Sequence, residues 1–86
     1  MKTIHKYNIG LIQNYPVQMP VNAKVLHVDM QNSMLTLWAL VDLSNKIENR
    51  YFSVYGTGHE ILKEGCYIGT VNDGTFVWHI FEDIRD

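Results

Sequence analysis

The sequence holds a single cysteine, Cys66, so no disulfide can close within the chain and a covalently stapled scaffold is excluded. It has no basic run. Seven Lys and Arg are scattered among nine Asp and Glu, for a formal net charge of -2. Binding to a phosphate backbone needs clustered positive charge, so long nucleic acid is not an expected partner. No apolar stretch approaches the ~20 residues that span a bilayer, and no membrane association is expected. The opening residues, MKTIHKYNIG, lack the apolar core of a signal peptide. With the lone thiol, this gives the expectation of a cytoplasmic protein. The four histidines and Cys66 do not fall into the paired C-x2-C or H-x3-H spacings of structural zinc sites. Neither a metal nor a cofactor is expected.

What remains is a chain that is 47% hydrophobic and 12% aromatic, too apolar to be disordered. Eighty-six residues make one domain, 1–86, with a small core and an incentive to self-associate. The hydrophobic period is two nearly everywhere. Lys2–Ile9 reads as a first strand ending at Gly10. Pro16 and Pro20 confine the next segment to a loop with a short edge strand around Val17–Met19.

Lys24–Asp42 reads as a hairpin turning at Asn32-Ser33, with paired residue numbers summing to 65. One face then gathers Leu26, Val28, Met30, Leu35, Leu37, Ala39 and Val41, all apolar, as a core face requires. The other carries His27, Met34, Thr36, Trp38 and Leu40 between polar neighbours. SNKIENR reads as a polar connection, and Arg50–Tyr55 as a strand. Glu60–Gly65 has room for one helical turn. Cys66–Glu82 is a second hairpin, through a three-residue Asn72-Asp73-Gly74 loop or a two-residue Asp73-Gly74 turn. The expected fold is all-β: a small antiparallel sandwich or partly open barrel of about six strands.

Three features invite chemistry. Gly56-Thr57-Gly58-His59 lacks the lysine and spacing of a phosphate loop. Its glycines suit a bend at positive φ, and its backbone N–H groups could make an anion nest. Cys66 and His79 could be set as nucleophile and base, but no oxyanion element or third group accompanies them. Packing is the simpler role for the thiol, and no catalytic residue is assigned. Trp38 and Leu40, with His27 opposite Trp38 and Met34 nearby, exceed ordinary surface apolarity and mark a candidate interface.

The blocks LWALVD (37–42), YGTGH (55–59) and FVWHIFE (76–82) make the chain resemble a family of short, uncharacterised proteins encoded by bacteriophages and prophages. The resemblance covers most of the chain and carries no activity. It implies a phage accessory protein made in a host bacterial cell and acting against host defence. The expectation is a non-enzymatic homo-oligomer that sequesters a small nucleotide-type ligand through Tyr55, Gly56, Thr57, Gly58, His59 and Trp78. The alternative is a protein–protein inhibitor or minor virion or assembly factor, docking a bacterial host protein through His27, Met34, Trp38 and Leu40.

Overall fold

The computed structural model describes residues 1–85, and these form seven strands with no helix. They are β1 (Lys2–Asn8), β2 (Tyr15–Pro20), β3 (Lys24–Gln31), β4 (Met34–Asp42), β5 (Ile47–Gly56), β6 (Cys66–Asn72) and β7 (Val77–Glu82). One sheet has the order β1-β4-β3 and the other β2-β5-β7-β6. Every neighbouring pair is antiparallel. Two sheets facing each other make this a sandwich, as the alternation predicts.

The core lies between the layers. Leu35, Leu37, Ala39 and Val41 of β4 meet Phe52 and Val54 of β5, Val17 and Met19 of β2, Val71 of β6 and Ile80 of β7. Phe52, Met19, Leu37 and Ile80 are fully buried. β2 is an edge strand, which is where Pro16 and Pro20 can be tolerated.

The first hairpin turns at Asn32-Ser33, both at positive φ (50° and 65°), the backbone signature of a type I′ connection. Pairs from Gln31↔Met34 to His27↔Trp38 sum to 65, as expected. A bulge between Val25 and His27 then shifts the register. That bulge corrects the expected core face: Leu26 is thrown outward and exposed, while Val25 packs against the core in its place. An extra residue in a strand turns every side chain before it to the other face.

The second hairpin follows neither expected register. Asn72 pairs with Val77, so Asp73, Gly74, Thr75 and Phe76 form a four-residue loop closed by Asp73 N–H to Phe76 C=O at 3.0 Å. The Asp73 carboxylate drives this choice. Its Oδ1 accepts from the N–H groups of Thr75 (2.8 Å) and Phe76 (2.6 Å), and its Oδ2 from the Trp78 indole (2.8 Å). Ile80 lies in the core and Trp78 packs against it, with Val71 opposite Trp78.

Three smaller expectations also change. Ile47–Asn49 extends β5 rather than belonging to a polar connection, because it pairs with Pro20, Met19 and Gln18 of β2. Glu60–Gly65 forms bends and no helical turn. Cys66 is exposed, not packed.

Candidate functional site

The Gly56–His59 segment is a tight turn at the end of β5. The His59 N–H donates to Gly56 C=O at 3.1 Å, and Gly58 sits at φ 90°, a conformation that glycine adopts without steric cost. The His59 ring folds back so that its Nδ1 accepts from the Gly56 N–H at 3.0 Å. A Cβ on Gly56 would lie 2.9 Å from His59 Cε1. The two glycines therefore have separate jobs: Gly58 supplies the backbone angle and Gly56 the space for the imidazole. Because Nδ1 accepts, the neutral ring carries its proton on Nε2, leaving an N–H donor outside the turn.

The turn's own bonds consume the N–H groups of Gly56 and His59, which reduces the expected anion nest to the N–H groups of Thr57 and Gly58. The Thr57 hydroxyl is also engaged, 2.8 Å from His79 Nε2. His79 Nδ1 lies 3.1 Å from Thr70 Oγ1, which lies 2.5 Å from the Tyr67 hydroxyl. This chain, Tyr67–Thr70–His79–Thr57, ties β6, β7 and the turn together. Its members are separated by up to 22 residues, so no local motif announces it.

Beside the turn, Gly56, Thr57 and His59 close a hollow of about 500 Å³ with Phe76, Val77 and Trp78. The Phe76 and Trp78 rings are 5.8 Å apart at 52°. Asp73 fixes the Trp78 indole N–H, so the ring is held by its edge beside the hollow. No Lys or Arg lines this space. Four of the six expected ligand residues, Gly56, Thr57, His59 and Trp78, thus converge there. Gly58 forms the turn behind them.

Tyr55 does not join them. It points to the opposite side of β5, where its ring packs edge-on against Phe81 at 5.9 Å. There it lines a second cavity of about 450 Å³. The walls come from the loop after β1 (Gln13, Asn14), the loop before β6 (Leu62, Lys63) and the segment after β7 (Asp83, Ile84, Arg85). At its floor the buried Ser53 hydroxyl accepts from Asn14 N–H (3.0 Å) and donates to Asp83 (2.8 Å). The Asp83 N–H bonds Tyr51 C=O, and the Arg85 guanidinium lies 3.5 Å above the Tyr51 ring. No spacing in the sequence signals this cavity, since three distant segments build it.

The expected interface residues lie together on the outer face of the three-stranded sheet. His27 is opposite Trp38, with rings 5.9 Å apart. Met34 is half exposed, while Trp38 and Leu40 are partly covered. From β1, Ile4 sits beside Leu40 and Lys6 beside Trp38. Lys6 reaches across the face to Gln31 at 2.8 Å, and Thr36 nearby is fully buried. Among the described residues, no group of three or more His, Cys, Asp or Glu side chains is placed to hold a metal ion.

Fold and site define a small two-sheet β domain with two loop-walled hollows, one aromatic and uncharged, one polar and charged. The chain belongs to the family described as a domain of unknown function (DUF7352), whose model matches residues 1–86. No curated protein and no solved structure matches it.

Proposed function

We propose that the chain is a small, non-catalytic binding protein that sequesters a nucleobase-bearing ligand in the hollow beside the Gly56–His59 turn. The observation that carries this reading is the convergence of the His59 ring with the Phe76–Trp78 pair around one space of about 500 Å³. Aromatic faces stack planar heterocycles in a sequence-tolerant way. The Nε2–H of His59 supplies an edge donor, and the N–H groups of Thr57 and Gly58 are the remaining backbone donors. The absence of a cation in the lining favours recognition of the base over the phosphate. In this reading the protein acts by occupancy, one ligand per hollow, as a phage accessory factor that withdraws a nucleotide signal from the host.

Isothermal titration against a panel of nucleosides, mononucleotides and cyclic nucleotides tests it, with His59→Ala as the control variant because His59 is exposed. Binding to the parent protein that weakens in the variant is expected. Silence across the panel sinks the sequestration reading.

A second reading has its own observation: Ile4, Met34, Trp38 and Leu40 form an apolar stripe on a sheet face that the other layer does not cover. On this reading the face is the contact between two copies of the chain. Native mass spectrometry of the parent and of Trp38→Ala is the test. A monomeric parent, or a variant with unchanged assembly, counts against it.

A further inference from the structure

We propose that the cavity over the outer side of β5 is a second, independent binding site, and that its ligand is a small zwitterion of the α-amino-acid class. Tyr55 is the first reason. The residue is only 5% exposed, yet its hydroxyl has no hydrogen-bond partner among the described residues. Among the described residues no sealed side-chain oxygen lacks a partner, so this hydroxyl is open at its tip, and the cavity is the space that Tyr55 lines. A phenol buried along its ring and open at its tip presents a donor and an acceptor to whatever fills the space.

Charge is the second reason. Lys63, Arg85 and Asp83 line the same cavity, and among the described residues none of the three is ion-paired. Asp83 accepts from Ser53 through both oxygens, at 2.8 and 3.1 Å. One hydroxyl proton shared between two carboxylate oxygens leaves most of that carboxylate's capacity unused. Arg85 is held over Tyr51 by its ring face, which leaves the edge of the guanidinium for an anion. A lining that offers both signs without pairing them is matched by a ligand carrying both. The ligand ammonium meets Asp83 and its carboxylate meets Lys63 and Arg85, with the Tyr55 hydroxyl between. A simple anion would leave Asp83 opposed, and a simple cation would leave two positive groups opposed. The volume, about 450 Å³, is of the size that encloses a small molecule.

The test is a backbone-amide NMR titration with free L-amino acids, each compared with its des-amino carboxylic acid and its decarboxylated amine. The expected result is shifts at Asn14, Ser53, Tyr55 and Lys63, and binding of both half-ligands weaker by about tenfold or more, since a site built for a charged group rejects the analogue lacking it. Lys63→Ala, on an exposed loop residue, should reduce the preference for the carboxylate, which Arg85 alone then supports, and Tyr55→Phe should weaken binding several-fold with the fold intact. No shifts at millimolar amino acid, equal binding of a half-ligand, or an unaltered Lys63→Ala protein would each overturn the proposal. The nucleoside hollow is read separately at His59 and Trp78, so failure of one site is not failure of the other.

Discussion

Arg50 and Glu82 are joined by two parallel bonds, Nε to Oε2 at 2.6 Å and Nη2 to Oε1 at 2.7 Å. The remaining guanidinium nitrogen, Nη1, donates to Ala23 C=O in the turn between β2 and β3. One side chain on β5 thereby holds β7 beside it and a connection from the other layer's side. The side chains are only 18% and 22% exposed, so this is a largely desolvated fork and not a surface pair.

Arg50→Ala is expected to cost about 2–3 kcal/mol of stability, below the full penalty for orphaning a buried charge because some solvent reaches the pair. Arg50→Lys should not restore it, since an ammonium cannot make the fork and reach Ala23 together. Urea denaturation of Arg50→Ala, Glu82→Ala and the double variant measures the coupling. A double variant that equals the sum of the singles would remove the pair from the account.

How far the chain discloses this architecture depends on range. The β3–β4 register is legible because it is local: an Asn-Ser turn and one apolar face fix every pair down to His27↔Trp38. The bulge at Leu26 is not legible, because an extra residue costs the pattern nothing until β6 packs against β3. Arg50–Glu82 is equally hidden, 32 residues apart and inside a segment whose composition reads as a connection. For the site, the His59 turn is visible in its glycines and Trp78 in its apolar block. The polar cavity, made by three separate segments, has no such trace. Only Tyr55 marks it, and the sequence places Tyr55 with the wrong neighbours.

Acid sensitivity should report Asp73. Its carboxyl is held below the ordinary value of 3.8 by the Phe76 N–H first, then the Trp78 indole and the Thr75 N–H. A depressed native pKa means the unfolded chain binds the proton more readily, so this stabilisation is present above about pH 4 and is lost as pH falls through the lower native value. Asp73→Asn should therefore be less stable than the parent at pH 7 and approach it near pH 2. Asp42, also lowered, first by the Ser44 N–H, contributes a limb of the same sign that persists in the variant. Thermal unfolding against pH gives the comparison; parallel curves would show that Asp73 is not involved.

Ser33 occupies φ 65° beside Asn32 at φ 50°. The left-handed region costs an L residue roughly 1–2 kcal/mol, and glycine avoids that cost while losing some chain entropy of its own. Ser33→Gly should stabilise the protein by about 0.5 kcal/mol, with the hairpin register unchanged. A lower urea midpoint would contradict this.

Across the two layers, β6 packs against β3. A Cβ placed on Gly69 would lie 2.8 Å from Val28 Cγ2, and Val28 is buried in the core. Valine has little rotamer freedom with which to retreat, so Gly69→Ala should destabilise by about 1–3 kcal/mol through overpacking. Val28→Ala alone removes two methyl groups and leaves a cavity, costing about 1–2 kcal/mol by the usual large-to-small logic. Together the two changes exchange volume across the interlayer gap, so the double variant should be more stable than the sum of the singles predicts by about 1 kcal/mol. The bulge between Tyr67 and Gly69 sharpens the expectation, since it aims this one glycine at the facing strand. Gly58→Ala is the contrast. Nothing lies within 4 Å of its Cβ position, so its cost comes from φ alone and no partner substitution relieves it. Strict additivity at Gly69 and Val28 would mean that the layers separate freely there, and that close packing of β3 on β6 does not set the spacing of the sandwich.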